Sequence, residues 1–310
     1  MNVEAGVADD FVLMPPRSKT GDKVRFISPA STPDKAAVLQ RAKILEGWGL
    51  KVDFGEHAFH KLAYLAGTDD ERLHDLNLAL RDPEVRAVFA TRGGKGSYRI
   101  ADCMDFDAVR RDPKFLIGFS DITALHLSLW KHCRVIGVHG ALMEDEGQVS
   151  EENEEALRKV LMTSEPIVIR SRRDEPTSAL TTTGSATGRL IGGNLDMIST
   201  AAGWALPRLC GAILLIEAAD MYLGQVDRQL TMLRKAGHLS SLAGVAVGQF
   251  TKFETAGGRT IIELLREHLE RLSVPILGGL PLGHGNKPVS ALVGAIASLD
   301  TASRELTIAG

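Results

Sequence analysis

From Lys23 onward, short apolar runs that end in Gly, Ser or Pro alternate with segments of helical apolar spacing. That alternation restricts the chain to βα units around a largely parallel sheet. Strands are expected over residues 24–28, 85–91, 115–119 and 135–138. Between them, residues 34–48 and 70–80 carry helical spacing, the second through Leu73, Leu76 and Leu80. A second α/β block has expected strands at 212–216, 244–249, 276–279, 292–297 and 305–308, with helices over 226–236 and 260–272. Composition changes between the two blocks. Residues 144–155 hold seven acids in twelve, which suit a solvated helix start, and residues 170–188 are mostly Arg, Ser, Thr, Gly and Pro. The expected fold is therefore α/β in two domains. An N-terminal parallel-sheet domain covers residues 1–148, a linker 149–187, and a C-terminal α/β domain 188–310.

With 310 residues, 44% hydrophobic and 24% charged, the composition excludes disorder and collagen-like repetition. A net charge of -3 leaves no excess of Lys and Arg for a general nucleic-acid binder. No apolar run approaches the roughly 18 residues of a membrane span. The first 19 residues, with Glu4, Asp9 and Asp10, lack the basic-then-apolar order of a secretory signal. A cytoplasmic protein without a membrane partner is expected. Cys103, Cys133 and Cys210 form no C-x-x-C pair, and each is expected as a buried small hydrophobe. There is no H-E-x-x-H and no histidine pair at i, i+4, so neither a metal nor another cofactor is expected.

Four segments carry residues suited to chemistry. In Phe115-Leu116-Ile117-Gly118-Phe119-Ser120-Asp121-Ile122, an apolar strand stops at a serine and runs into a helix. Ser120 there is either an exposed nucleophile beside free helix N–H groups or an N-cap. Ile122 stands where G-x-S-x-G has its last glycine, which argues against an ordinary α/β-hydrolase. Thr91-Arg92-Gly93-Gly94-Lys95-Gly96-Ser97 is a glycine-rich turn that holds an anion or is simply tight. It fits neither Walker A nor the dinucleotide fingerprint. Glu217 closes the apolar run Ala212-Ile213-Leu214-Leu215-Ile216 and is either a partnered site carboxylate or the solvated end of a strand. His284, between Gly283 and Gly285, can reach into a cleft or remain in solvent. Its rivals are His139, which also follows a strand, and His126, whose place on the helix turns it away from Ser120.

Taken in order, these segments resemble the LD-carboxypeptidase family, the serine peptidases of family S66, which includes the microcin-immunity amidases. The marks are Arg92-Gly93-Gly94 with Gly96, Lys114 through Gly118 to Ser120-Asp121, Gly188 with Gly192-Gly193-Asn194-Leu195, Glu217 with Asp227-Arg228, and Gly283-His284. The resemblance implies an active site between the two domains, with Ser120 as nucleophile, His284 as general base and Glu217 as its orienter. It also implies oxyanion donors at the backbone N–H groups of Gly94 and Asp121. Arg92, beside that loop, is the expected anchor of a substrate carboxylate, and Asn194 a second substrate-binding residue. Lys95 stands where the family usually has an aromatic.

The activity implied is hydrolysis of the bond between an L-centre and the terminal D-alanine of murein tetrapeptide, during peptidoglycan recycling in a cytoplasmic homodimer. The microcin-immunity branch instead cleaves aminoacyl-nucleotide analogues and stacks the base on an aromatic. Residues 163–194 contain no Phe, Tyr or Trp, and Trp204 is the one substitute considered. A non-catalytic anion-binding α/β protein is the remaining alternative.

Overall fold

The computed structural model describes residues 11–142, 144–145 and 148–310. Glu4, Asp9 and Asp10, and Glu146 of the acidic run, lie outside the described residues. The first block runs β1 (Lys23–Ile27), α1 (Lys35–Gly47), β2 (Lys51–Phe54), α2 (Asp69–Arg81), β3 (Val85–Ala90), α3 (Phe106–Arg111), β4 (Phe115–Gly118), α4 (Thr123–Cys133) and β5 (Gly137–His139). A short hairpin, β6 (Glu144–Asp145) and β7 (Gln148–Val149), leads into α5 (Glu151–Met162), β8 (Ile167–Arg170), β9 (Ser185–Asn194) and α6 (Leu195–Thr200). The chain ends with β10 (Ile213–Ala219), α7 (Leu223–Lys235), β11 (Gly244–Thr251), α8 (Ile261–Leu269), β12 (Ile276–Leu277), β13 (Ala291–Val293), β14 (Ile296–Asp300) and β15 (Glu305–Ile308).

Local chemistry accounts for where helices start. Thr68 and Glu71 close a capping box on α2, and Thr260 and Glu263 close another on α8. The later part of the acidic run becomes the first turn of α5: Ser150 caps it, and Glu151, Glu152 and Glu154 face its positive end. Strands β4 and β10 read as unbroken apolar runs because they are covered on both faces.

Two mixed sheets organise the α/β fold. The first has the order β13-β5-β4-β3-β1-β2 and the second β12-β11-β10-β9-β14-β15-β8. All neighbours in the first are parallel except β13, which pairs antiparallel with β5 through Ala291 and His139. The expected single strand over 292–297 is corrected here. It is two strands, because Gly294 at φ +95° turns the chain out of the first sheet and into the second. A segment from the C-terminal half thus completes the N-terminal sheet. Residues 149–187, expected as a linker, contain α5 and β8, an edge strand of the second sheet.

Two cysteines also differ from expectation. Cys133 is buried, but Cys103 and Cys210 are exposed because each sits in a turn rather than in packed structure. Among the described residues no helix is long and apolar enough to cross a membrane.

Candidate active site

Ligand sites of open α/β sheets gather at the carboxyl ends of strands, and here the ends of β1, β3 and β4 meet. After β4, Phe119 is extended and Ser120 has φ +62° before the helical turn into α4. A non-glycine residue in that left-handed region stores strain, a frequent property of functional turns. The turn is therefore the expected strand-to-helix junction, with Ser120 half-buried.

The glycine-rich loop after β3 packs on this turn. A Cβ at Gly93 would lie 2.9 Å from Cβ of Ser120 and 3.3 Å from the nitrogen of Asp121. Only glycine permits that approach. Gly94, at φ +108°, lies against Ser31, whose hydroxyl accepts the N–H of Lys95 at 3.0 Å. Behind the loop the buried Arg72 donates to the carbonyls of Pro29 and Gly96 and pairs with Asp69. Asp121 turns inward, where its carboxylate accepts the N–H of Ser97 at 2.7 Å, and burial pushes its pKa up. The backbone of Asp121 is thereby fixed beside Ser120.

From the other sheet, β10 carries Glu217, which is fully buried. Strand β10 continues past it to Ala219. The solvated strand end left open for this residue does not hold: Glu217 is buried and partnered. Its Oε2 accepts Nδ1–H of His284 at 2.7 Å, which offsets desolvation and fixes the imidazole tautomer. Gly283 is required beside it, since a Cβ there would stand 2.7 Å from Oε2 of Glu217. The His284 loop is held by Gln249, buried near the end of β11, whose amide oxygen accepts from Gly285 at 2.8 Å and whose nitrogen donates to Asn286 at 3.1 Å.

One cleft of about 390 Å³ is lined by Ser120 and His284 together, with Phe119, Gly93, Gly94, Arg92 and Arg41. The ring of Phe119 stands 4.8 Å from that of His284. Arg92 is exposed at the rim, and Nη1 of Arg41 donates to the carbonyl of Thr91 at 2.9 Å. Asn194 has a different place. It caps α6 by accepting from Asp196 and Met197, and its N–H donates to Thr123 at the start of α4. Gly193 before it, at φ +138°, would collide with Thr123 if it carried a Cβ. The Gly-Gly-Asn motif thus lets the second sheet approach α4.

His126 packs inward and bonds Leu116, and His139 is buried in β5; burial pushes both down to about 4. Neither lines the cleft. Trp204 is also elsewhere, with its indole N–H donating to Thr200. Ser31 and Gln249 were not singled out as functional by sequence reasoning. Gln249 had one usable signal, an amide side chain closing an otherwise apolar strand.

Comparison with known proteins follows the same division. The LD-carboxypeptidase N-terminal domain matches residues 24–140, and the LD-carboxypeptidase C-terminal domain matches residues 187–299. A protein of Bacillus subtilis called probable murein peptide carboxypeptidase is 32% identical over 294 residues, covering 93% of this chain and 92% of that protein. The microcin C7 self-immunity protein MccF of Escherichia coli is 25% identical over 320 residues, covering 93% of each. In fold, the muramoyltetrapeptide carboxypeptidase of Oxalobacter formigenes superposes with a TM-score of 0.81 at 24% identity, covering 92% of this chain and 97% of that one. With both domains matched in order and such a relative along nearly its whole length, the chain belongs to the LD-carboxypeptidase family, the S66 peptidases.

Proposed function

We propose that the protein is a serine LD-carboxypeptidase that removes the terminal D-alanine from murein tetrapeptide. The observation that carries this reading is the 2.7 Å bond from His284 to the buried Glu217, on a histidine that shares one cleft with Ser120. A serine hydroxyl needs a base, and the base needs a carboxylate to hold its tautomer and stabilise the imidazolium.

Ser120 loses its proton to His284 as its oxygen bonds to the carbonyl carbon of the L-residue. Charge on the carbonyl oxygen is taken up by the backbone N–H groups of Gly94 and Asp121. The C–N bond then breaks, and D-alanine leaves with the proton from His284. Water, deprotonated by the same imidazole, releases the shortened peptide and restores Ser120. Arg92, at the rim of the cleft, anchors the free carboxylate of the departing alanine. The site lies between the two sheets, so each half supplies part of it.

A murein peptide is favoured over an aminoacyl-nucleotide because, among the described residues, no Tyr or Trp lines the cleft and its one Phe, Phe119, lies against His284. A cytoplasmic recycling role and a homodimer belong to the same proposal, on the strength of the family resemblance. The test incubates the purified protein with murein tetrapeptide and, separately, with an aminoacyl-adenylate analogue, and reads products by mass. Tripeptide and D-alanine are expected. Cleavage of the analogue alone would favour the microcin-immunity activity, and cleavage of neither a binding protein.

A further inference from the structure

The loop between β2 and α2 brings together three side chains that the reaction above does not use. His57, His60 and Glu71 each offer a ligand atom, and these atoms lie within 4.8 Å of one another. His57 and His60 are three residues apart on a loop, and Glu71 comes from the first turn of α2, so no linear histidine motif marks the set.

The surroundings already have the form of a metal site's outer layer. Nδ1 of His57 is bonded at 2.9 Å to Asp75, which is buried and also accepts the backbone N–H of His57 at 2.8 Å. A carboxylate behind one imidazole nitrogen leaves Nε2 as the ligating atom and raises its basicity. Glu71 is held too, because its Oε2 accepts from the N–H and hydroxyl of Thr68 in the capping box. Its Oε1 stands 3.2 Å from Nδ1 of His60. Two ligands at bonds of roughly 2.0–2.1 Å in a tetrahedral site sit about that far apart. The rings of His57 and His60 meet edge to face, with centroids 4.9 Å apart.

We propose that His57, His60 and Glu71 bind one divalent transition-metal ion of the zinc class, with Asp75 orienting His57. Two imidazoles and a carboxylate suit zinc over calcium or magnesium, and the fourth position is left to water. The ion braces the loop rather than taking part in hydrolysis. Thr32 donates to the carbonyls of His60 and Leu65, and Ser31 beside it holds the glycine-rich loop of the cleft. The brace therefore acts one layer behind the active site.

The test is equilibrium dialysis of the chelator-treated full chain against zinc chloride, with thermal unfolding measured alongside. Wild type should take up one zinc per chain and melt higher with zinc. His60→Ala and Glu71→Gln, which leave Asp75 paired and the helix cap largely intact, should each weaken binding by about tenfold or more. Absence of zinc uptake by wild type, or affinity unchanged in both variants, would overturn the proposal.

Discussion

The side-chain oxygen of Gln249 accepts the backbone N–H of Gly285 at 2.8 Å, next to the imidazole that Glu217 orients. A buried amide on β11 thus sets the path of the loop bearing His284, and β13 ties the same loop to the first sheet on its far side. The His284 loop is thus held from both halves of the molecule.

Replacing Gln249 with Ala should leave the fold intact and displace the histidine. Misplacement of a catalytic group by about 1 Å costs on the order of a hundredfold in rate. Steady-state kinetics on murein tetrapeptide should show that loss in kcat with KM little changed. A loss confined to KM would mean that Gln249 shapes the binding cleft instead.

Arg92 should act in the opposite sense. Its guanidinium lies at the rim of the cleft and touches Thr32 only at 3.5 Å, so its charge is available to a carboxylate. Arg92→Ala should raise KM about tenfold or more, as expected for losing one charge-assisted bond. An unchanged KM would remove Arg92 as the anchor.

Stability should fall on mild acidification. Burial holds His126 and His139 near 4, whereas the same groups in the unfolded chain titrate near 6.5. Between those values the unfolded state binds the extra protons, so stability is full above about pH 6.5 and declines toward pH 4. Each group contributes a slope of about 1.4 kcal/mol per pH unit within that window. Urea unfolding at pH 7, 6 and 5 should show the decline, and His126→Gln should flatten it.

Much of this architecture is legible in the sequence for a simple reason. Buried parallel strands such as β4 and β10 must be apolar on both faces, so they stand out as runs. The turn at Ser120 is legible because an apolar strand ends on a polar residue and a helix begins at once. Strand β9 was missed, since Ser185, Thr187 and Arg189 are polar and its place is fixed by pairing with β10 and β14. The split at Gly294 was missed because Leu292 and Ala297 are equally apolar in either sheet. Partnership is the least legible property of all. Glu217 reads alike as a solvated strand end or a buried site carboxylate until His284, 67 residues away, is placed against it.

Release of D-alanine from murein tetrapeptide, compared among wild type, Ser120→Ala, His284→Ala and the double variant, tests the three-residue site most directly. Groups that act as one unit lose activity together, so each single variant should fall by about a thousandfold or more, and the double variant no further. Folded Ser120→Ala that still releases D-alanine at the wild-type rate would contradict it.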